Sequence, residues 1–321
     1  MRFFSLVEPY LRQVNSLLEE QLLTGNELIE NVAQYLLVAS GKRLRPALVL
    51  LSGQFGSELT AVRSQKLVQV ATAVEMIHMA TLVHDDIIDD AVLRRGMPAV
   101  RSQFNDTVAV LAGDFLFALA FRLFSSAGDL AIVDIAARVV HVMCVGEIHQ
   151  NMDQGQIASE GAYWRRIEAK TGFFLETSCR LGAIATGAPA GIEILLSQYG
   201  HHIGLAYQVV DDLLDWLANP ETLGKAVGED VAAGVYTLPV IYGLTSARQG
   251  SQIEKILLGP HPETQVEELR QLLETSGALQ YGKSQAGHHI DQALEVCRQL
   301  PNGPAKQALE ELAEFVLARE Y

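Results

Sequence analysis

The sequence predicts an all-α fold, a single large helical bundle around a central cavity. Apolar residues recur at intervals of three and four in the stretches 68–82 and 203–214. This spacing is typical of helices, and both stretches are apolar on most sides, as expected of core helices. No stretch alternates convincingly enough to predict a strand. Each of the two predicted helices leads directly into a group of aspartates.

The composition favours one large domain with much of the chain buried. The chain has 321 residues, of which 49% are hydrophobic and 19% charged, and the charged share is below the usual quarter or so. Gly- and Pro-containing breakers are short and local, so none is long enough to be an interdomain linker. We therefore predict one domain over residues 1–321.

Charge and cysteine content exclude several classes of partner. The net charge of −14 argues against nucleic acid and against an anionic membrane surface as the main partner. The best candidate for a membrane span, residues 108–124, is interrupted by Asp114 and Arg122, and residues 1–8 contain no signal-peptide h-region. Three cysteines without C-x-x-C spacing predict neither disulfides nor a zinc site, so a cytoplasmic location is expected. They are Cys144, Cys179 and Cys297.

Two aspartate clusters are the most informative feature of the chain. Residues 85–89 read D-D-I-I-D and residues 211–215 read D-D-L-L-D. Helical residues four apart share a face, with Cβ atoms about 5–6 Å apart, so each cluster stacks two carboxylates beside a third. The aliphatic residues between them are expected to point into packing. The repetition of the motif suggests two halves that face each other across one cavity.

Repeated carboxylates in apolar surroundings suggest that a cation is meant to bind. One or two carboxylates per ion suit Mg²⁺ bound together with a phosphorylated substrate. The alternative is a solvated acidic face, which two matching motifs with apolar flanks make a poorer explanation. The predicted metal ligands are Asp85, Asp86, Asp89, Asp211, Asp212 and Asp215.

A compact basic stretch, residues 41–46 (G-K-R-L-R-P), stands out in this acidic protein. Arginine is suited to bidentate phosphate contacts and lysine to a point charge. Pro46 fits the first turn of a following helix, predicted over 47–51, whose N–H groups would face an anion. A basic loop that only covers a helix start is the alternative.

Other polar residues are weak signals when each is considered alone. Arg94 and Arg95 follow the first aspartates and either hold phosphate oxygens or balance the acids. His78 lies two turns before Asp85 on the same face, although a lone histidine there is more often a core residue. The remaining candidates are Lys170, Thr171, Gln208 and the loop residue Lys225.

Together these motifs resemble those of the trans-prenyl diphosphate synthases. They occur in the family's order, as 41–46, 85–89 with 94–96, 170–171, and 208–215, and the match covers nearly the whole chain. Within the family, the sequence most resembles that of the catalytic subunits of bacterial heptaprenyl diphosphate synthases. The resemblance rests on segments 85–96, 165–171 and 300–321.

The resemblance implies a fold, a reaction and a set of roles. The fold is that of the isoprenoid synthases, and the reaction is Mg²⁺-dependent condensation of isopentenyl diphosphate onto an allylic diphosphate, with release of diphosphate. The implied primer is farnesyl or geranylgeranyl diphosphate. The implied assembly is a homodimer or a heterodimer with a small regulatory subunit, with at most peripheral membrane contact for product release.

The resemblance also assigns individual residues. It implies that the six aspartates hold Mg²⁺, and that Thr171 and Gln208 steady the allylic cation. Those implied for the isopentenyl diphosphate are Lys42, Arg45, His78 and Arg95, and those implied for the allylic diphosphate are Arg94, Lys170 and Lys225. One departure is Val235, where many relatives carry a lysine, and it puts affinity for short primers in question.

Product length is predicted from the helix before the first aspartates. Ala80 lies five residues before Asp85, or about 7.5 Å along the axis. The resemblance implies a bulky aromatic floor there in short-chain members, so alanine, with Thr81 beside it, predicts a product longer than geranylgeranyl. Heptaprenyl is the expected length.

Four other functions fit the sequence less well. A metal-dependent phosphohydrolase built on the His84-Asp85 dipeptide, with His78, His141 and Asp211 completing the site, leaves the second D-D-x-x-D motif and the basic stretch unexplained. A di-iron bundle needs two Glu-x-x-His motifs, and only residues 75–78 qualify. A terpene cyclase would carry a different second motif, and a regulatory or scaffolding subunit would be expected to lose aspartates.

Overall fold

The structure, a computed structural model, describes residues 2–38, 41–94, 96–152, 155–217, 227–246, 248–259 and 261–319. Helices make up 80% of the chain, which confirms the predicted all-α class. The strands within the described residues are one short antiparallel pair, β1 (Leu93–Arg94) and β2 (Met97–Pro98), in which Leu93 faces Pro98.

The first part of the chain contains seven helices among its described residues. They are α1 (Glu8–Leu22), α2 (Glu27–Val38), α3 (Leu44–Ser52), α4 (Ala61–Ile88), α5 (Val100–Gln103), α6 (Asp106–Ser126) and α7 (Leu130–Met152). Short 3₁₀ turns occur at Arg2–Phe4 and Gly53–Phe55.

The rest of the described chain continues this helical pattern. Its helices are α8 (Glu160–Ile167), α9 (Phe173–Thr186), α10 (Ala190–Leu217), α11 (Glu229–Ala232), α12 (Leu238–Leu244), α13 (Gly250–Leu257), α14 (Val266–Thr275), α15 (Ala278–Arg298) and α16 (Pro304–Leu317). A π-helical segment, Glu168–Gly172, joins α8 to α9, and a 3₁₀ turn covers Pro262–Gln265.

The chain groups into two compact units, each built from separate stretches. The first contains Met1–Val140, Leu175–Gly200 and Gln299–Glu311, and the second contains His141–Phe174, His201–Arg298 and Leu312–Tyr321. The expectation of one domain over 1–321 stays a prediction.

Helix α4 is the central element of the first unit. It packs against α1, α3 and α6, and most of its side chains from Leu67 to Val83 are buried. This burial is what the apolar spacing before the first aspartates predicts. At Gly113 of α6, an added Cβ atom would lie 2.1 Å from His84 Nε2, so the two helices are in close contact there.

The second unit has its own core around the last turns of α10. Tyr163 and Trp216 are fully buried there, with Leu213 beside them. An added Cβ atom at Gly282 of α15 would lie 2.9 Å from Leu213 Cδ2, so glycine permits the close packing of α15 against α10.

Two of the described helices, α4 and α6, are long and apolar enough to cross a membrane by length and composition alone. The sequence expectation of no such stretch is therefore too strict. In α4, 72% of the apolar window is buried, as in a core helix, whereas in α6 the share is 39%. Core helices of soluble proteins pass the same test, so this finding is weak support for a span.

Replacing Gly182 with alanine should destabilise the protein by about 1–3 kcal/mol, the usual cost of overpacking. Its Cβ atom would lie 2.1 Å from the backbone oxygen of Val49, which cannot rotate away. The control is Gly191→Ala on α10, where nothing lies within 4 Å. Urea unfolding of both variants measures the effect, and equal stabilities would contradict the described packing of α9 against α3.

Candidate active site

The first aspartate motif lies on a helix, as predicted, at the C-terminal end of α4. Asp85 and Asp86 belong to the last turn and Asp89 is the C-cap residue. A helix carries partial negative charge at this end, so the three carboxylates are electrostatically unfavourable where they lie. Ile88 is 46% exposed, so the expectation that the residues between the aspartates are packed is wrong at this position, because the helix ends there.

Asp86 is the buried member of this motif. Its side chain is 3% exposed, and Oδ1 lies 2.6 Å from the guanidinium nitrogens of Arg94. Arg94 lies on β1, which follows α4 and pairs with β2. A buried carboxylate needs such a partner because its desolvation is costly.

Next to Asp86 lies a small pocket within the first unit. Glu75, His78, Asp86 and Arg94 line it together with Gly41 of the basic stretch and several apolar side chains. The structure therefore brings His78, Asp86 and Arg94, predicted from separate motifs, to one pocket.

Backbone geometry and a buried ion pair hold the basic stretch in place. Arg43 adopts a left-handed conformation (φ 56°) and precedes α3. Its guanidinium bonds Glu75 Oε1 at 2.5 Å and Asn15 Oδ1 at 3.2 Å. Helix α3 begins at Leu44, three residues earlier than predicted, although Pro46 still lies in its first turn. This correction follows because Arg43, and not the proline, ends the preceding loop.

Arg45 points back to α4, where its Nη1 lies 3.1 Å from His78 Nε2. Lys42 is exposed. The three basic side chains of the stretch therefore have different environments: Arg43 supports the loop, Arg45 contacts His78, and Lys42 is exposed.

The second aspartate motif lies in the last turns of α10, as predicted. Asp212 is buried and accepts hydrogen bonds from Tyr163 Oη at 2.7 Å and Gln208 Nε2 at 2.9 Å. The pKa of Asp212 is raised to about 7, mainly by burial; the two hydrogen bonds oppose the rise and the charge of Asp211 adds to it. A carboxylate in this environment is poised to bind a cation, because a positive charge would compensate its burial.

Asp211 and Asp215 have different environments. Arg319, near the end of the chain, bonds Asp211 Oδ1 at 3.0 Å, and its guanidinium lies 4.1 Å from the centroid of the Tyr207 ring. Asp215 Oδ1 accepts the backbone N–H of Glu229 at 3.1 Å. The second motif is therefore held by donors on α8, on α10 itself, at the start of α11 and after α16.

The π-helical segment positions Thr171. Its hydroxyl donates to Gln208 Oε1 at 2.7 Å, so Thr171, Gln208 and Asp212 form one chain of hydrogen bonds. The backbones approach closely here, since a Cβ atom at Gly204 would lie 2.7 Å from Gly172 Cα. Short π segments are common at functional sites.

Other predicted residues have less direct relations to these clusters. Lys170 pairs with Glu147 at 2.8 Å, outside the Thr171 chain. Val235 donates its backbone N–H to the backbone oxygen of Asp230. Burial raises the pKa of both Asp212 and Asp230, and the charge of Arg166 opposes that rise. Arg95 and Lys225 lie outside the described residues.

Sequence reasoning missed several residues that contact the predicted ones. Tyr163 and Arg319 lie 49 and 108 residues from their aspartate partners, so no local spacing could reveal them. Asp230 is a further carboxylate whose pKa is raised by burial and then by the charges of the second motif. The sequence singles out Glu75 only as part of a Glu-x-x-His motif, and its pairing with Arg43 was not predicted.

The donor chemistry of the aspartates fits Mg²⁺. Among the described residues, no group of three or more His, Cys, Asp or Glu side chains is placed to hold a metal ion. Mg²⁺ prefers oxygen ligands and is commonly held by one or two carboxylates together with substrate phosphates. Carboxylates at two helix ends match that mode and do not match a preformed all-protein cage.

An all-α chain with an aspartate motif at the end of each of two long helices belongs to the isoprenoid synthase class. The heptaprenyl diphosphate synthase structure from Staphylococcus aureus aligns with a TM-score of 0.92 at 32% identity, covering 98% of this chain and 99% of that one. A Caulobacter crescentus polyprenyl synthase, described as complexed with calcium and isoprenyl diphosphate, aligns with a TM-score of 0.92 at 32% identity, covering 100% and 98%.

Sequence comparison places the chain within this class. The Polyprenyl synthetase family model matches residues 26–276, and the chain belongs to that family. Heptaprenyl diphosphate synthase component 2 of Geobacillus stearothermophilus is 35% identical over 99% of this chain and 98% of its own length. Other relatives are named octaprenyl and geranylgeranyl diphosphate synthases. The chain is thus a prenyltransferase, a trans-prenyl diphosphate synthase, which confirms the resemblance.

Replacing Tyr163 with phenylalanine should lower the free energy of unfolding by about 1–3 kcal/mol, because a buried carboxylate loses a donor. The control is Tyr10→Phe, at a partly buried position on α1, which should be neutral. Thermal unfolding without added metal is the measurement. A neutral Tyr163→Phe variant would contradict the hydrogen bond to Asp212.

Proposed function

We propose that this synthase condenses isopentenyl diphosphate with an allylic diphosphate in an Mg²⁺-dependent reaction and makes a heptaprenyl-like product. The observation that carries the proposal is the pair of 28-residue helices that each end in D-D-x-x-D. In each motif the middle aspartate is buried and held by donors of its own unit. Carboxylates fixed in this way cannot turn away into solvent, so a cation can bind them without reordering the side chains.

The six aspartates are the proposed Mg²⁺ ligands. Support comes from the calcium complex of the Caulobacter relative, because Ca²⁺ and Mg²⁺ both prefer oxygen ligands. Bound Mg²⁺ supplies charge neutralisation for the leaving diphosphate. The proposed ligands are Asp85, Asp86, Asp89, Asp211, Asp212 and Asp215.

In the first unit, the basic stretch and α4 are the proposed binding site for the isopentenyl diphosphate. The contact between Arg45 and His78 orients a guanidinium beside the pocket, and exposed Lys42 adds a positive charge. Arg95 is proposed for the same diphosphate from the family resemblance. The Arg43–Glu75 pair supports the loop and is not proposed as a phosphate ligand, because Glu75 already neutralises its guanidinium.

Arg94, Lys170 and Lys225 are proposed for the allylic diphosphate. Arg94 holds Asp86 through one carboxylate oxygen, which leaves the rest of its planar fork of donors oriented beside the motif. Lys170 belongs to the π segment, and its ion pair with Glu147 orients its ammonium group.

Thr171 and Gln208 are proposed to steady the allylic cation. Gln208 donates its amide N–H to Asp212, which fixes which end of the amide carries the oxygen. The Thr171 hydroxyl donates to that oxygen, so both residues keep lone pairs available for a positive charge. A fixed dipole stabilises developing charge better than one that must reorient.

The proposed reaction transfers one isoprene unit. The allylic C–O bond breaks and its electron pair leaves with the diphosphate. The double bond of isopentenyl diphosphate then attacks the allylic carbon and forms a C–C bond. A proton is lost from the resulting cation to the released diphosphate, which leaves a product one unit longer.

Partner and location are proposals as well. The Geobacillus relative is named as component 2, so a small separately encoded subunit is one candidate partner and a second copy of this chain is the other. Val145, Ile148 and Met152 lie on one face of α7 and are 39%, 59% and 69% exposed, which supports a covering protein. The three free thiols support a reducing, cytoplasmic location.

Removing Mg²⁺ should abolish product formation from labelled isopentenyl diphosphate and farnesyl diphosphate. The variants Asp86→Asn and Asp212→Asn should each lose about 10²–10³-fold in rate, since several kcal/mol of charge stabilisation disappear. Asp134→Asn, an exposed carboxylate on α7, is the control and should keep full activity. Product that resists chelation would refute the metal proposal.

If the purified wild-type chain forms no product, the assay is repeated with cell extract added. Restored synthesis would show that a partner subunit is required. Continued silence would count against the proposed reaction.

Product length is proposed from Ala80, which is fully buried on α4. Ala80→Phe should shorten the product, because a phenyl ring about 7.5 Å from Asp85 would block the growing tail. Ala71→Phe is the control for overpacking: Ala71 is equally buried, but nine residues away it lies on the opposite helix face. Chromatographic sizing decides between the outcomes, and an unchanged length in Ala80→Phe with shortening in Ala71→Phe would place the tail elsewhere.

A further inference from the structure

A cluster of four histidines lies in the second unit, away from the aspartate motifs. His201 and His202 are on α10, and His288 and His289 are on α15. His202 precedes Asp211 by nine residues, or about 13 Å along the helix axis. The proposed reaction does not use these side chains.

His202 and His289 face each other through the same ring atom. The two Nδ1 atoms are 3.2 Å apart, and the ring centroids are 5.5 Å apart at an interplanar angle of 33°. Two Zn–N bonds of about 2.0–2.1 Å at a tetrahedral angle would separate their nitrogens by about 3.3 Å. The observed separation therefore suits two ligands of one metal ion as well as a hydrogen bond between the rings.

Neighbouring side chains hold the pair in this orientation. Trp164 packs on His289 with ring centroids 5.3 Å apart. The indole N–H of Trp164 donates to Glu160 at 3.0 Å, and Glu160 also accepts from the Tyr281 hydroxyl at 2.7 Å. This packing orients the His289 ring before a metal binds.

The protonation state of the pair also suits a metal. Burial, followed by the charges of the other histidines, lowers the pKa of His289 to about 4 and lowers that of His202. Neutral imidazole is the form that binds metals. Without a metal, one ring donates its Nδ1 proton to the other; a shift of that proton to Nε2 would free both Nδ1 atoms.

We propose that His202 and His289 form a site for a Zn²⁺-like transition-metal ion that links α10 to α15. The protein supplies two nitrogen ligands, and water completes the coordination. Imidazole nitrogens select Zn²⁺, Co²⁺ or Ni²⁺ over Mg²⁺, so this site is chemically distinct from the proposed Mg²⁺ ligands. A bound ion fixes α10, the helix that ends in the second aspartate motif, against its neighbour.

Co²⁺ binding to the full-length chain tests the site, with visible absorption reporting nitrogen ligands and low coordination number. We expect the wild type to bind about one more equivalent than His202→Gln or His289→Gln, and Zn²⁺ to raise its unfolding temperature by several degrees. His261→Gln is the control, since His261 is exposed and pairs with Glu263, and it should behave like the wild type. Identical spectra and stoichiometry in all four proteins would overturn the site.

A second measurement uses only the wild type and so does not depend on the variants folding. Anomalous diffraction from Zn²⁺-soaked crystals should show a peak within about 2.1 Å of both Nδ1 atoms. A map with zinc peaks only at the aspartates, or with none, would mean that the two rings share a hydrogen bond and no metal.

Discussion

Three carboxylates at the C-terminal end of a helix repel one another and the partial negative charge of that end. The chain builds this unfavourable arrangement twice, on helices α4 and α10, each of 28 residues. Burial makes it worse, since Asp86 and Asp212 are almost fully removed from water. The surrounding structure can be understood as a set of responses to this accumulated negative charge.

The two units respond in different ways. In the first unit, the buried carboxylate of Asp86 is neutralised by a full positive charge, the guanidinium of Arg94 at 2.6 Å. In the second, neutral donors dominate around Asp212, where Tyr163 and Gln208 supply hydrogen bonds and the pKa is raised to about 7. Neutral donors orient a carboxylate without cancelling its charge, so Asp212 keeps more of its attraction for an added cation than Asp86 does.

Much of the fold and part of the candidate site could be predicted from local patterns in the sequence. Apolar spacing of three and four predicts α4 and α10, and the four-residue repeat of the aspartates correctly places both motifs on these helices, although it does not predict that they lie at the helix ends. Contacts that close over long sequence distances could not be predicted: Tyr163 with Asp212, Arg319 with Asp211, and Arg43 with Glu75. Each is a single pair whose members sit in unremarkable local sequence, and only tertiary packing brings them together. The start of α3 was mispredicted for a local reason, since the left-handed backbone of Arg43 leaves no pattern that spacing can detect.

We expect the cation and the diphosphate to bind interdependently, because no group of three or more His, Cys, Asp or Glu side chains among the described residues is placed to hold a metal ion. Calorimetric titration with Mg²⁺, with and without a non-reactive allylic diphosphate analogue, tests this directly. The account predicts weak Mg²⁺ binding to the free protein and binding at least about tenfold tighter with the analogue present, a coupling of about 1.4 kcal/mol or more. Tight Mg²⁺ binding without the analogue, or analogue binding that is indifferent to Mg²⁺, would contradict it.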